Sequence, residues 1–171
     1  MVKIPLLALN NTVSSQRGLP GMVELSGEYT VTMDAKNRVA IPAQLRNALP
    51  EDQRNMIVLT RDFSSPCITG YRPAKWKNIE NQFDHLKLGM NEKRALRRHI
   101  YPSTKPAAFD QQGRILIPPA LIEYAQLDKD REVLVTGCGE YIEIWNPELY
   151  QQTLAQSKEL LKDAVSQLFI D

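Results

Sequence analysis

The sequence predicts an α+β fold, mainly β, in which two tandem copies of one strand–turn–strand–helix–hairpin unit share a core. Three observations predict it. The chain repeats itself at an offset of 76 residues, which aligns Asp34 with Asp110. Each copy contains short runs of β-branched and aromatic residues separated by turn residues. Stretches with apolar residues at helical spacing lie between the copies and after the second one.

The internal repeat sets the organisation of the chain. Residues 34–42 (DAKNRVAIP) align with residues 110–118 (DQQGRILIP). We predict five segments: a flexible N-terminal extension at 1–27, the first copy at 28–75, connecting helices at 76–103, the second copy at 104–148 and an amphipathic C-terminal helix at 149–171. So short a unit buries little core alone, and we therefore expect the two copies to pack face to face.

Each copy begins with a hairpin whose turn starts at an aspartate. Asp is favoured at the first position of a type I turn because its carboxylate accepts hydrogen bonds from backbone amides. The fourth turn position favours a positive φ, which Gly113 adopts freely and Asn37 adopts at modest cost. A proline then opens a short helix, and a second hairpin ends each copy. We place the tight turn of the last hairpin at residues 137–139 (GCG).

The first 27 residues differ from the rest because they are rich in Asn, Ser, Gly and Pro and lack sustained periodicity. Their apolar run at 4–9 is short for a secretory signal and contains Pro5. Two interpretations stay open: a flexible extension, or an over-long reading of the gene in which Met22 is the true start.

Composition limits the classes of protein to which the chain can belong. Of 171 residues, 43% are hydrophobic and 24% are charged, which excludes a disordered chain, and no apolar run is long enough to span a bilayer. Two cysteines and two histidines exclude a disulfide framework and a cysteine- or histidine-rich metal site, and they favour a reducing cytoplasm.

The net charge of +1 hides an asymmetry between the two parts of the chain. Residues 1–105 carry a net charge of +7, and residues 106–171 carry −6. The first part therefore suits a polyanionic partner. The alternative is that the two parts attract each other or a neighbouring subunit.

The two aspartate turns carry the functional hypothesis. A two-stranded ribbon with a basic tip fits the major groove of DNA, where arginine binds guanine with two hydrogen bonds and glutamine binds adenine. The candidate DNA-binding residues are Lys36, Asn37, Arg38, Gln112 and Arg114, and the candidate turn-bracing residues are Asp34, Asp110 and Gly113. The alternative is that each Asp–Arg pair is only a local salt bridge that braces its turn.

A basic cluster lies on the second connecting helix. Arg94, Arg97 and Arg98 stand at positions i, i+3 and i+4, so they share one helix face. They are candidate phosphate contacts. A solvated face, or an ion pair with the acidic second part of the chain, is the alternative that we favour. The sequence shows no catalytic constellation, no metal-binding set and no cofactor motif, so we do not expect an enzyme.

Three segments together resemble the MraZ family of bacterial transcriptional regulators, which belongs with the AbrB-like swapped-hairpin proteins. They are residues 29–42, residues 110–119 (DQQGRILIPP) and residues 143–147 (EIWNP). The resemblance implies a pseudo-symmetric swapped-hairpin barrel built from both copies, with subunits in a ring. It implies no cofactor, a location at the nucleoid, and binding to short direct repeats of double-stranded DNA upstream of the protein's own operon in the division and cell wall gene cluster.

The resemblance also assigns roles within the turns. It implies DNA contact through both Asp-x-x-x-Arg loops, with Arg38 central. The chain departs from the family pattern at Asn37, where glycine is more usual, and at Gln112. An antitoxin-type interaction protein on the same fold, in which the C-terminal helix binds a toxin, is the alternative function.

Overall fold

The computed structural model describes residues 25–168. The predicted extension and the proposed start at Met22 lie largely outside the described residues, at 1–24. The first strand begins at Leu25, so residues 25–27 of the predicted extension belong to it, and it pairs with the second copy over its whole length.

The described residues form eight strands and five α-helices. The strands are β1 (Leu25–Thr32), β2 (Arg38–Ala40), β3 (Met56–Arg61), β4 (Ile68–Tyr71), β5 (Lys105–Ala108), β6 (Arg114–Leu116), β7 (Glu132–Gly139) and β8 (Tyr141–Trp145). The helices are α1 (Ala43–Asn47), α2 (Pro73–His85), α3 (Met90–Ile100), α4 (Pro119–Tyr124) and α5 (Pro147–Leu168). Short 3₁₀ turns lie at Glu51–Gln53 and Tyr101–Ser103. The content is therefore α+β with most strands in one antiparallel sheet, as predicted.

The two copies exchange their first strands instead of packing face to face as expected. Six strands form an antiparallel sheet in the order β1-β7-β8-β4-β3-β5, and β2 pairs with β6 in a separate ribbon. Thus β1 of the first copy pairs with the hairpin of the second, and β5 of the second pairs with the hairpin of the first. The order of the described strands ends at β1 and β5, so the hydrogen bonds among them do not by themselves close a barrel.

One face of the sheet carries the main core. Alternate residues of each strand point to this face, where they pack with β2, β6, α1 and α4. Leu59, Ile68 and Ile144 are fully buried there. Burial of one such side chain contributes about 1.5–3 kcal/mol of transfer free energy. Neither copy forms this core alone, because the core side chains come from the strands of both copies.

The opposite face is covered by the longer helices. Trp76 of α2 and Ile100 at the end of α3 pack against Val58 of β3. Leu149 and Tyr150 in the first turns of α5 pack against Trp145 and its neighbours. The apolar residues of α2, α3 and the start of α5 therefore pack against this face of the sheet.

The tight turn predicted at residues 137–139 is confirmed at Cys138 and Gly139 but not at Gly137, because β7 and β8 stay paired up to Gly137 and Ile142. Strand β7 continues through Gly139, and β1 pairs with it up to that residue. A Cβ atom on Gly137 would lie 2.5 Å from the backbone nitrogen of Ser26. Gly137 is therefore needed for the close approach of β1, whereas Gly139, at φ +80°, adopts the turn conformation.

Candidate nucleic-acid interface

The two aspartate turns have the same backbone conformation. The Asn37 amide donates to the Asp34 carbonyl at 2.9 Å, and the Gly113 amide donates to the Asp110 carbonyl at 2.9 Å. The φ angles of Asn37 and Gly113 are 62° and 73°. The positive φ predicted for the fourth turn position is therefore confirmed in both copies, and asparagine preserves it in the first.

The carboxylate of Asp34 uses its two oxygens for two purposes. Oδ1 accepts hydrogen bonds from the backbone amides of Lys36 and Arg38, both at 2.9 Å. Oδ2 accepts from Nε of Arg38 at 2.8 Å and lies 2.7 Å from its Nη2. One side chain therefore closes the turn and also fixes the guanidinium that follows it.

The second turn repeats this arrangement. Oδ1 of Asp110 accepts from the amides of Gln112 and Arg114, both at 2.9 Å. Oδ2 accepts from Nε of Arg114 at 2.8 Å and lies 2.8 Å from its Nη2. The replacement of lysine by glutamine at position 112 leaves the turn unchanged, because only the backbone of this residue contacts the carboxylate.

Antiparallel pairing of β2 with β6 places the two turns at opposite ends of one short ribbon. The Ile41 amide donates to the Gly113 carbonyl at 3.0 Å, and the Ile117 amide donates to the Asn37 carbonyl at 2.8 Å. The four charged side chains Asp34, Arg38, Asp110 and Arg114, hereafter the charge quartet, therefore form one cluster.

Each arginine of the charge quartet faces both carboxylates. Nη1 of Arg38 lies 3.9 Å from Oδ2 of Asp110, and Nη1 of Arg114 lies 3.6 Å from Oδ2 of Asp34. Both distances exceed a hydrogen bond, so the cross pairs are electrostatic contacts. The side chains of Arg38 and Arg114 are 30% and 26% exposed. The local Asp–Arg salt bridges are therefore real, and the guanidinium groups still reach the surface.

Hydrogen bonding keeps both aspartates ionised. The Arg38 amide and guanidinium lower the pKa of Asp34 to about 2, and the amide is the larger cause. The Arg114 amide, followed by its guanidinium, also lowers the pKa of Asp110. At neutral pH the charge quartet therefore contains two carboxylates and two guanidinium groups.

The basic residues of α3 lie away from the charge quartet. Arg94, Arg97 and Arg98 are exposed, while α3 packs through Ile100 on the face of β3 opposite to the core that holds β2 and β6. Nη2 of Arg97 lies 2.7 Å from Oδ1 of Asp84 in α2. Arg97 therefore forms an ion pair within the first part of the chain, and not the predicted one with the acidic second part.

Sequence reasoning gave no role to Arg46, which lies against the second turn. Its Nε donates to the Ile41 carbonyl at 3.0 Å, and a Cβ atom on Gly113 would lie 2.5 Å from its guanidinium. The sequence feature that could have identified Arg46 is its position as a basic residue in the last turn of α1. No neighbouring residue predicts which aspartate turn it contacts. Arg46 adds a cation beside the turn in which Gln112 replaces lysine.

Comparison with known proteins assigns the chain to a family. Residues 25–99 and 101–170 match the family model described as "MraZ protein, putative antitoxin-like". The chain belongs to the MraZ family. The family predicted from the three sequence segments is therefore confirmed.

Three relatives within the MraZ family match this chain over similar lengths. Transcriptional regulator MraZ of Cytophaga hutchinsonii is 40% identical over 131 residues, which cover 77% of this chain and 85% of that protein. The protein of the same name from Roseiflexus castenholzii is 37% identical over 129 residues, 75% of this chain and 85% of that one. The one from Leuconostoc citreum is 37% identical over 137 residues, 80% of this chain and 91% of that one.

The shared name of these MraZ relatives describes a non-enzymatic role, which confirms the prediction that this chain is not an enzyme. Within residues 25–168, no group of His, Cys, Asp or Glu side chains is arranged to hold a metal ion. None of the helices described there has the length and apolar character needed to cross a membrane.

Proposed function

We propose that this protein is a sequence-specific DNA-binding transcriptional regulator that contacts double-stranded DNA with its two aspartate turns. The observation that carries the proposal is the charge quartet, in which two arginines are held side by side at the surface of one ribbon. The names of the MraZ relatives support the regulatory role.

The geometry of each arginine suits base recognition. Its carboxylate partner binds Nε and Nη2, and the opposite carboxylate stays beyond hydrogen-bond length from Nη1. The outer N–H groups are therefore available for the O6 and N7 acceptors of guanine in the major groove. Because the carboxylates fix the guanidinium groups before DNA arrives, binding loses less side-chain entropy. Lys36 and Gln112 are exposed beside them and extend the contact to phosphate or adenine.

The proposal includes a finer account of target and assembly. The protein binds short direct repeats upstream of its own operon in the division and cell wall gene cluster, as a ring in which each subunit presents one charge quartet. Its location is then the cytoplasm, at the nucleoid. Several weak contacts on one DNA molecule gain affinity from effective concentration.

The proposal also includes a duplicated architecture for the chain. We infer AbrB-like repeats at 28–75 and 104–148 that together form a swapped-hairpin barrel, with connecting helices at 76–103 and a C-terminal helix at 149–171. Two observations support it. The strand order β1-β7-β8-β4-β3-β5 is the same from either end when each strand is exchanged for its counterpart. The family model also matches in two segments.

Substitution of one arginine tests the proposed function. Arg38→Ala is expected to abolish specific binding to DNA from upstream of the gene, measured by gel shift against an excess of unrelated DNA. The melting temperature is expected to change little, because Arg38 is partly exposed and its turn retains the Asp34 contacts to the backbone.

Arg97→Ala is the matched control. It also removes an exposed arginine paired with an aspartate, but on the helix that lies away from the charge quartet. We expect it to retain specific binding. If Arg38→Ala binds as tightly as the unchanged protein, the turns are not the DNA-binding surface.

An antitoxin-type interaction protein is the second candidate. The description of the family model includes "antitoxin-like", and α5 exposes Leu154, Leu161 and Val165, which would suit a partner protein. Co-purification of a small protein encoded next to this gene, in a complex that breaks when Leu161 is replaced by Glu, would favour this function.

A further inference from the structure

Leu116 is an apolar residue in an unusual place. It lies in β6 and is 60% exposed, whereas its neighbours Ile115 and Ile117 are fully buried. Among the described residues it is the one large exposed apolar side chain that lies in a β-strand. The core does not use it, so its apolar surface is available to a partner.

The register places Leu116 directly beside Arg38. The two residues are opposite each other in the β2–β6 ribbon. The bonds from the Ile41 amide to Gly113 and from the Ile117 amide to Asn37 flank them, so they form a non-hydrogen-bonded pair. In such a pair the two side chains lie on one face with Cβ atoms about 4.5–5.5 Å apart.

The second half of the ribbon lacks an equivalent leucine. There Arg114 lies opposite Ala40. The ribbon therefore presents an arginine with a large apolar neighbour at one end and an arginine with a methyl group at the other. A surface with two equivalent ends would fit a palindromic site, whereas this difference gives the ribbon a direction along the DNA.

We propose that Leu116 is a specificity-determining residue that contacts the C5-methyl group of a thymine next to the guanine bound by Arg38; this rests on the proposed function. Thymine is the base whose edge in the major groove carries an apolar group. Successive bases of a strand are about 3.4 Å apart, less than the separation of the two Cβ atoms, so the longer arginine and leucine side chains converge to contact neighbouring bases. Covering the methyl group and the leucine together removes apolar surface from water. The shorter Ala40 does not reach as far beside Arg114.

Removal of a single methyl group tests the proposal. The probe is double-stranded DNA from directly upstream of this gene, in which footprinting first locates the bound segment and N7-methylation interference locates the guanine whose methylation prevents binding of the unchanged protein. Each thymine in the segment is then replaced by deoxyuridine, which lacks only the C5-methyl group. Dissociation constants are measured by fluorescence anisotropy for the unchanged full chain and for Leu116→Ala.

We expect one deoxyuridine, adjacent to that guanine, to weaken binding of the unchanged protein about fourfold, the effect of one buried carbon group. Leu116→Ala is expected to bind both DNAs with equal, weaker affinity, while Leu116→Met keeps the discrimination. Leu154→Ala, which truncates another exposed leucine on α5, is the control and is expected to discriminate as the unchanged protein does.

Three outcomes would overturn the proposal. In the first, the unchanged protein binds every deoxyuridine-containing DNA as tightly as the original DNA. In the second, Leu116→Ala keeps the full discrimination between thymine and deoxyuridine. In the third, Leu116→Ala alters the mass of the assembly in light scattering, which assigns Leu116 to a contact between copies of the chain. In each case a loss of binding in Arg38→Ala would still support the proposed function, whereas normal binding by Arg38→Ala refutes both.

Discussion

Asp34 and Asp110 each bind both a backbone turn and an arginine through a single carboxylate. Because Oδ1 holds the turn and Oδ2 holds the guanidinium, the position of the arginine depends on the same group as the fold of the turn. Exposed salt bridges contribute little to stability when they stand alone. At these positions the salt bridges fix the orientation of each guanidinium group, and they leave its outer N–H groups available to a ligand.

The lowered pKa of Asp34 predicts a specific loss of stability in acid. A carboxyl group with a depressed pKa stabilises the fold above its ordinary value of 3.8, and this contribution is lost as the pH falls towards about 2. Asp110 acts in the same direction. We therefore expect the free energy of unfolding to fall between pH of about 4 and about 2, and to fall less in Asp34→Asn, as measured by urea unfolding at a series of pH values.

Asp84→Asn is the comparison for this measurement, because it removes the carboxylate of the exposed ion pair between α2 and α3. We expect its acid profile to follow that of the unchanged protein. Identical profiles for all three proteins would show that the Asp34 carboxylate does not stabilise the fold.

At the scale of secondary structure elements, strand exchange depends on one glycine. β1 lies at the edge of the sheet, and its pairing with β7 passes Gly137 at a distance that leaves no room for a side chain. The obstacle is the backbone of Leu25 and Ser26 and not a flexible side chain. A substitution there must therefore displace the strand itself.

Gly137→Ala is expected to destabilise the protein by about 1–3 kcal/mol, the usual cost of overpacking. Hydrogen exchange measured by mass spectrometry should then increase in β1 more than in β3 and β4. Gly139→Ala is the matched control: it strains a positive φ but meets no atom within 4 Å, so it should not selectively release β1. Equal exchange in β1 for both variants would contradict this account.

At the scale of the whole molecule, one chain presents a single charge quartet. In the proposed function one ribbon contacts only a few base pairs, and we therefore expect weak binding to a single site. If the subunits form a ring, adjacent charge quartets bind adjacent repeats. The affinity then depends on the number of repeats that one assembly can reach.

A series of DNA fragments with one, two, three and four repeats tests this dependence by gel shift. We expect affinity to rise steeply from one repeat to two and more gradually afterwards. Fragments of equal length with the remaining repeats scrambled separate this effect from non-specific binding. Equal affinity across the series would contradict binding by several ribbons at once.

The sequence predicts local features well in this protein and long-range pairing poorly. The aspartate turns, the positive φ of Asn37 and the helices that follow Pro42 and Pro118 all depend on neighbouring residues, and these predictions are correct. A strand pattern of period two identifies a buried face but does not name the partner strand. The residue pattern alone therefore predicts the repeat but not the exchange of β1 and β5, whereas the family resemblance implies swapped hairpins.

The same limit applies to the candidate site. The partner of Arg97 and the position of Arg46 both depend on how helices and turns meet in space. The sequence pattern does not single out Leu116, because an apolar residue in a strand is normally part of the core. Its exposure follows from the register of two short strands that lie far apart in the chain.

The exchanged strands have a consequence for how such a chain holds together. A polypeptide with one copy would lack the partner for its own first strand, and it would have to associate with an identical polypeptide to complete the same sheet. Joining the two copies through residues 76–103 makes that association intramolecular. The ribbon that carries both arginines then forms at any dilution, and its two ends can differ, as they do at Leu116 and Ala40.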